Sequence, residues 1–597
     1  MPCCLSKTEI SSFRGNVIPL QLISDTDLSK ADIRWSCDGD ILSIHTFSGE
    51  EEECFNDGIL LTLKDIGTTT VTAQYESNTY SCTVTVREGK KAEKGDKMQF
   101  FAGDFHDHTS ELHKHELFAA REKDFPIDYL NKQKEDGRLD FAVISDHAIV
   151  TNRKDFFRGF TDLELAEPMS TVIFPGSESE VTFIEADRFG RNHKNAGEIV
   201  CVNANNFNFS RSWEPFWEAF SDAPYAVCVL AHPQVVGWDK NGIWNFQLHK
   251  NNTPLMKQLI KGVEMGQGNA GCMLYEHIYS VALDCGFKVS TTCSSDCHGP
   301  NWGYDAWPGK TVIMAPEKSG EMFLDALWNR RFYATESGNV KLWYTVNDAI
   351  AGETLPITNN YKFRIELDYF KEDPTTVPVT CQVISDRGLV VKTVTPKEFS
   401  DFTVISSTAR YFYLRLVDEK GRKTWSAPVW TGREADSTTL PDLIPLDKEN
   451  ITATDQVSGT KIPLLLNNNP GEWWDSDHPT AEIILDLNKV QKVSAVGHCP
   501  PHIVMSDFQT KGINGTDMFA RFADEYEISV STDGEHYTFC ADGRIRVHGG
   551  EVVIPFPEAE ARYIKFTVKS TVGKTCGYKA YENANLSMGE LTVFTLK

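Results

Sequence analysis

The chain has 597 residues, a formal net charge of −25 and 41% hydrophobic residues. Its length exceeds what one hydrophobic core organises and predicts about three or four domains. The acidic balance excludes nucleic acid as the main partner, because a phosphate backbone demands clustered Lys and Arg, and no apolar run of about 18 residues marks a membrane span. A small anionic substrate stays compatible with that charge, since a bound divalent ion inverts the local field.

The opening MPCCLSKTEI lacks the basic and apolar regions of a signal peptide. The fifteen cysteines are scattered mostly singly and their number is odd, unlike the even framework of a small secreted disulfide domain. Both features point to reduced, buried thiols and a cytoplasmic chain; removal of a signal sequence would make it secreted instead. Residues 1–90 read as all-β, with ADIRWSCDGDILSI, GILLTLKDIGTTTVTAQY and YSCTVTVRE giving short alternating runs between Gly, Asp and Asn turns. Trp35, the Asp65-Ile66-Gly67 turn and a closing strand from Cys82 to Val86 resemble bacterial Ig-like domains. The charged EGKKAEKGDK at 88–97 reads as a linker.

From 98 to 338 the pattern changes. Seven apolar runs (MQFFAGDF, DFAVIS, TVIFPG, EIVCVN, AVCVLA, GVEM and FKVSTTCS) alternate with amphipathic stretches such as FPIDYLNKQKEDG, SWEPFWEAFSDA, TPLMKQLIKG and LYEHIYSVALDCG. That alternation predicts βα units around a parallel sheet, a barrel of the TIM type or a distorted form of it. His106 and His108 end the first run, and a strand turns residues i and i+2 to one face. Asp146 and His147 end the second, Glu178 follows the third, and His193 precedes the fourth. His232 ends the fifth, Glu264 sits in the sixth, and Asp296 with His298 ends the seventh. Parallel strands of a barrel converge at their C-terminal ends, where such side chains would share one mouth.

The ordered set GDFHDHT, ISDH, PGSE, His193, AHP and SDCH resembles the PHP (polymerase and histidinol phosphatase) family, over about 98–435. The resemblance implies a distorted (β/α)7 barrel holding two or three divalent metal ions (Zn, Mn or Fe) and hydrolysing phosphate mono- or diesters. Related barrels with a similar opening motif cleave carbamate or amide bonds. Carried over motif by motif, the metal ligands would be His106, His108, His147, Glu178, His193, His232, Asp296 and His298, with Glu178 bridging two ions. The family usually has a further acidic or His ligand just after its HxHT motif; here SELHKHE offers Glu111, His113, His115 or none. Glu264 reads as a support behind the ligands.

Residues 339–435 return to short strands and read as a β-sandwich continuing the enzyme unit. From 436 to 597, NNNPGEWWDSDHPTAEIILDL, YEISVSTDGEHYTF, ARYIKFTVKS and ELTVF resemble a discoidin-like jelly roll of the galactose-binding class. The resemblance implies glycan or surface binding through loops at one end.

Clustered cations acidify a bound water and relieve the repulsion that protects phosphodiesters from anionic attack. A carboxylate such as Glu178 suits bridging, because each of its two oxygens holds one ion. Leaving-group protonation would fall to His193 or His232, whichever is not metal-bound. Arg153, Arg188, Arg191 and Lys194 are candidates for phosphate recognition, since guanidinium matches phosphate bidentately; each is also readable as an ordinary surface charge. Trp238, Trp244, Trp302 and Trp307 are candidate sugar platforms or plain packing residues. The sequence therefore reads first as a phosphoesterase acting on a small-molecule or glycan-linked phosphoester. A carbamate, amide or ester hydrolase at the same site is the alternative, and a non-catalytic glycan-binding protein is the reading from another class.

Overall fold

The computed structural model describes residues 3–47, 55–109, 139–148, 156–157, 160–161, 171–186, 192–205, 213–233, 253–267, 276–284, 286–298, 309–371, 377–433, 442–453, 462–467, 472–501, 520–545, 552–575 and 583–595. Strand dominates these residues and helices are few. No helix among them is long and apolar enough to cross a membrane. Eleven cysteines among them are free thiols, seven of these buried.

The N-terminal part forms two four-stranded sheets. In Asn78–Arg87 the residues alternate, and Cys82, Val84 and Val86 turn inward, as period-2 patterning requires. They meet Leu20, Leu22, Ile59 and Leu61 from the facing sheet.

The seven predicted strands are all present: β1 (Gln99–Asp107), β2 (Phe141–Ile144), β3 (Val172–Ala186), β4 (Asn192–Val202), β5 (Val227–Ala231), β6 (Ile260–Gln267) and β7 (Ser290–Ser294). They hydrogen-bond in sequence order. The pairs β1/β2, β2/β3, β5/β6 and β6/β7 are parallel. The sheet curls until its last strand meets its first: Asp107 and Cys297 form a parallel bridge, His108 N–H donates to Cys297 O (3.1 Å) and Asp296 N–H to His106 O (2.9 Å).

The expectation of uniformly parallel βα units needs correction. Strand β4 runs antiparallel to both β3 and β5. Residues 177–197 look long enough for a crossover helix, but most of them lengthen the two strands into a hairpin. Only 187–191 remain as the connection, too short for a parallel return, which takes a dozen or more residues. Short helices accompany the sheet, among them α1 (Trp213–Glu218), α2 (Pro254–Leu259), α3 (Glu276–Asp284) and α4 (Gly320–Trp328). The predicted helix at FPIDYLNKQKEDG lies outside the described residues. Helix α2 starts where Thr253 accepts the Met256 N–H and Pro254 occupies the first turn, the favoured entry chemistry.

Phe101, Phe105, Phe141, Phe174, Val200 and Val229 fill the space inside the curled sheet, and Phe323 and Leu327 of α4 pack against them. Gly103 is needed here, because a Cβ would stand 2.2 Å from Phe141 O. The first half of β1 also pairs antiparallel with β8 (Lys310–Ala315), which pairs with β9 (Phe332–Thr335). From β9 the ladder runs on through Lys423–Trp425, Tyr411–Asp418 and Pro378–Ser385. Strands of the 339–435 segment are therefore joined to the curled sheet by main-chain hydrogen bonds. In the C-terminal part the long strands Ala481–Cys499 and Val552–Thr571 pair antiparallel over a core that includes Leu485, Ile528, Ile564 and Phe566.

Candidate metal centre

One end of the curled sheet brings His106, His108, His147, Glu178, His232, Asp296 and His298 together; Glu178, expected just after the third strand, lies inside β3, which continues to Ala186. Glu178 lies at the centre, 1% exposed. Its Oε2 is 2.7 Å from His147 Nδ1 and 3.3 Å from His106 Nε2, and its Oε1 is 2.9 Å from His232 Nε2. Asp296 Oδ1 is 2.9 Å from His108 Nε2, 3.5 Å from His106 Nε2 and 3.4 Å from His298 Nδ1. The rings of His108 and His298 stack with centroids 4.1 Å apart.

Local structure holds these groups in place. Thr109 N–H and Oγ1–H both donate to Asp146, so Asp146 pins the strand end after His108 rather than joining the ligand cluster. Ser295 N–H donates to Asp104 Oδ1 (3.0 Å) and Ser295 Oγ to Asp107 Oδ1 (2.8 Å), fixing the turn that carries Asp296. Asp296 itself sits at φ +51°, a left-handed conformation uncommon for a residue with a Cβ and concentrated at functional sites. Glu264 Oε2 accepts the His232 N–H (2.5 Å), and its Oε1 lies 3.5 Å from His106 Nδ1.

Two readings from sequence change. Glu198 joins the centre, its Oε2 3.3 Å from His232 Nε2, although nothing in the sequence motifs marked it. The reversal of β4 explains the omission, because a residue predicted near the start of a parallel strand instead lies level with Glu180 and Ala231. His193 lies inside β4 rather than before it, paired with Glu185 five residues from Glu198. The side chains of His193 and Lys194 lie outside the described residues. So do Glu111, His113, His115, Arg153, Arg188, Arg191 and the four loop tryptophans.

Electrostatics follow from burying acids and imidazoles together. Burial opposes charge on His106, yet Glu178 and Asp296 overrule it and hold its pKa well above the ordinary value. For His232 the same contest, won by Glu178 and Glu198, raises the pKa to about 9. Burial pushes Glu178 and Asp296 upward, but the histidines beside them hold both well below the usual carboxylate range. The site thus asks for positive charge. His106 Nδ1 and Glu264 Oε1 are buried without a hydrogen bond, and buried polar atoms left so signal a missing partner.

A divalent cation fits that donor set. The donor atoms of His106, Glu178 and His232 lie within 4.8 Å of one another, as do those of His106, His108 and Asp296; of His108, His147 and His298; and of His147, Glu178 and Glu198. Glu178 belongs to two of these groups, with a different oxygen facing His232 and His147.

The N-terminal sandwich reaches this centre. Phe47 and Phe55 pack with Ala148, Phe156, Phe157 and Phe160, the stretch that follows His147, with Phe55 and Phe157 centroids 4.9 Å apart. Ala148 N–H donates to Glu178 O (2.7 Å), so the aromatic cluster steadies the His147 turn. Phe157→Ala is expected to cost about 3–5 kcal/mol by cavity formation. Were the centre to hold metal, the same change would weaken an ion beside His147 by about tenfold or more. Thermal unfolding combined with metal titration checks both.

A family model described as the F5/8 type C domain matches residues 450–582, and the C-terminal unit is accordingly discoidin-like. No curated protein matches the chain. Similar solved structures include the family 32 carbohydrate-binding module of NanJ from Clostridium perfringens in complex with galactose. It is 20% identical, covers 26% of this chain and 100% of its own, and has a TM-score of 0.20. A putative chitobiase fragment from Bacteroides thetaiotaomicron is 20% identical, covers 27% of this chain and 97% of its own, and has a TM-score of 0.21.

Proposed function

We propose that the chain is a metal-dependent hydrolase of the PHP type, its curled seven-stranded sheet the wall of a distorted barrel, and that it acts on phosphoesters. The observation that carries the reading is Glu178, buried among His106, His147 and His232 with both oxygens engaged. A structural site needs only four ligands and closes around its ion. Here at least seven donors cluster, and His147 and His298 keep side-chain exposures of 28% and 30% at the rim.

His106, His108 and Asp296 would hold one ion, and Glu178 would bridge to a second beside His232, His147 and Glu198. Divalent ions bound there supply an acidified water and positive charge against the negative charge that develops on a phosphoryl group. Glu178, Glu198 and Asp296 keep the imidazoles oriented. His298, part-exposed at the rim and outside both of those groups, would deliver the leaving group's proton. His232, 7% exposed and flanked by two carboxylates, is better placed as a ligand than as that proton donor.

The discoidin-like domain supports a glycan-bearing substrate, because relatives matching it include modules solved with bound sugar. A carbamate, amide or ester is the alternative substrate at the same site. A purely glycan-binding role rests on the C-terminal match and leaves the buried donor cluster without a task. Metal analysis of the purified chain and a panel of bis-aryl phosphate, aryl phosphate, aryl ester and aryl carbamate test the reading. Bound ions and chelator-sensitive phosphoester hydrolysis, abolished by His106→Ala, are the expected result. A chain with neither metal nor hydrolysis, but with sugar binding intact, would overturn it.

A further inference from the structure

At the end of the curled sheet where the strands begin, three cations gather that hydrolysis does not use. Lys261 opens β6, Lys288 precedes β7 and Arg330 follows α4. Lys261 is 5% exposed, and its Nζ stands 3.8 Å over the Trp328 ring. The Arg330 guanidinium and Lys288 Nζ lie 5.4 Å and 5.6 Å from the Trp430 ring centroid. Arg330 Nη1 donates to Trp328 O (3.3 Å) and Lys288 Nζ to Thr354 Oγ1 (3.2 Å). Two tryptophans and one turn of backbone therefore tie the three charges into a single patch.

Among the described residues the patch has no acid. The chain carries 84 Asp and Glu against 59 Lys and Arg, yet among the described residues no carboxylate acts on Lys261, Lys288 or Arg330. Arg331, one residue on, is paired with Asp325, so the omission is specific. Arg330 Nε is buried and makes no hydrogen bond, and the residue is held at φ +59°. Taking an ammonium out of water without a counter-charge costs several kcal/mol, and an aromatic face returns only about 2. The C-terminus of α4 adds only about half a negative charge, far short of three cations. The imbalance shows in Lys261, which burial and Arg330 together pull down to about 7.

We propose that Lys261, Lys288 and Arg330 form a binding site for a small oxyanion of the phosphate class, separate from the metal centre. The Nε edge of a guanidinium takes two such oxygens side by side, and the two ammonium groups complete the neutralisation. The inference does not depend on the hydrolase reading.

Titration of inorganic phosphate into the full chain at constant ionic strength tests it, with His106→Ala, Arg330→Gln and Lys288→Gln as companions. The expected result is one phosphate site that survives His106→Ala, weakens about tenfold or more in Arg330→Gln and several-fold in Lys288→Gln. Lys288 is exposed, so its variant tests the site even where Arg330→Gln disturbs folding. Absence of phosphate binding in the parent would overturn the proposal. So would binding that disappears with His106→Ala and is indifferent to Lys288→Gln.

Discussion

Under the proposed metal-dependent hydrolysis, Glu178→Gln is expected to lose at least one bound ion per chain and about 10³-fold or more of the rate, because a shared ligand and its charge go together. The amide keeps the shape of the side chain but removes the negative charge that His106, His147 and His232 all face. Glu264→Gln is the matched comparison. It touches His106 Nδ1 at 3.5 Å and the His232 N–H, so it supports ligands without joining two ions, and a loss of about 10- to 100-fold is expected. Metal content by mass spectrometry, read beside the rates of both variants, decides the matter. Full metal content and activity in Glu178→Gln would remove the central carboxylate from the proposed chemistry.

The metal-free chain is expected to lose stability as pH rises, in a window set by His232. Its folded pKa, raised from 6.5 to about 9, means that protonated His232 favours the folded state. That contribution is complete below 6.5 and is lost as pH passes through about 9; at 1.36 kcal/mol per unit it is on the order of 3 kcal/mol. Glu178 works in the opposite direction, its lowered pKa giving stability that is present above 4.5 and lost as pH falls through the folded value. The metal-free centre is therefore steadiest between those limits. Unfolding of chelator-treated parent and His232→Gln chains across pH 5 to 10 checks this. Their difference should be largest near pH 6 and vanish by about pH 10; a difference independent of pH would contradict the charge balance assigned to the site.

The legibility of the site in the sequence varied from residue to residue. His106 and His108 were readable from i, i+2 spacing, because a strand leaves two such side chains no choice of face. His147, His232 and Asp296 were readable as strand ends, since strands of four or five residues stop just before each; Glu178 was read the same way after TVIFPG, although β3 runs on through it to Ala186. Glu198 was not readable. It lies within EIVCVN, where a parallel strand would have placed it at the wrong end of the sheet, and only the hairpin with β3 brings it to His232. The charge cluster around Arg330 was equally silent, since Lys261, Lys288 and Arg330 share no motif.

By itself the amino-acid order determined the strands, the β-rich flanking units, the discoidin-like C-terminal domain and most of the donor set. These depend on local periodicity and on residue chemistry, which a chain carries whatever its neighbours do. Tertiary structure alone decided the direction of β4, the entry of Glu198, the aromatic brace from the N-terminal sandwich behind His147, and the gathering of Lys261, Lys288 and Arg330. Each of these is a meeting of segments distant in the chain, and strand direction and charge balance exist only once the segments have packed.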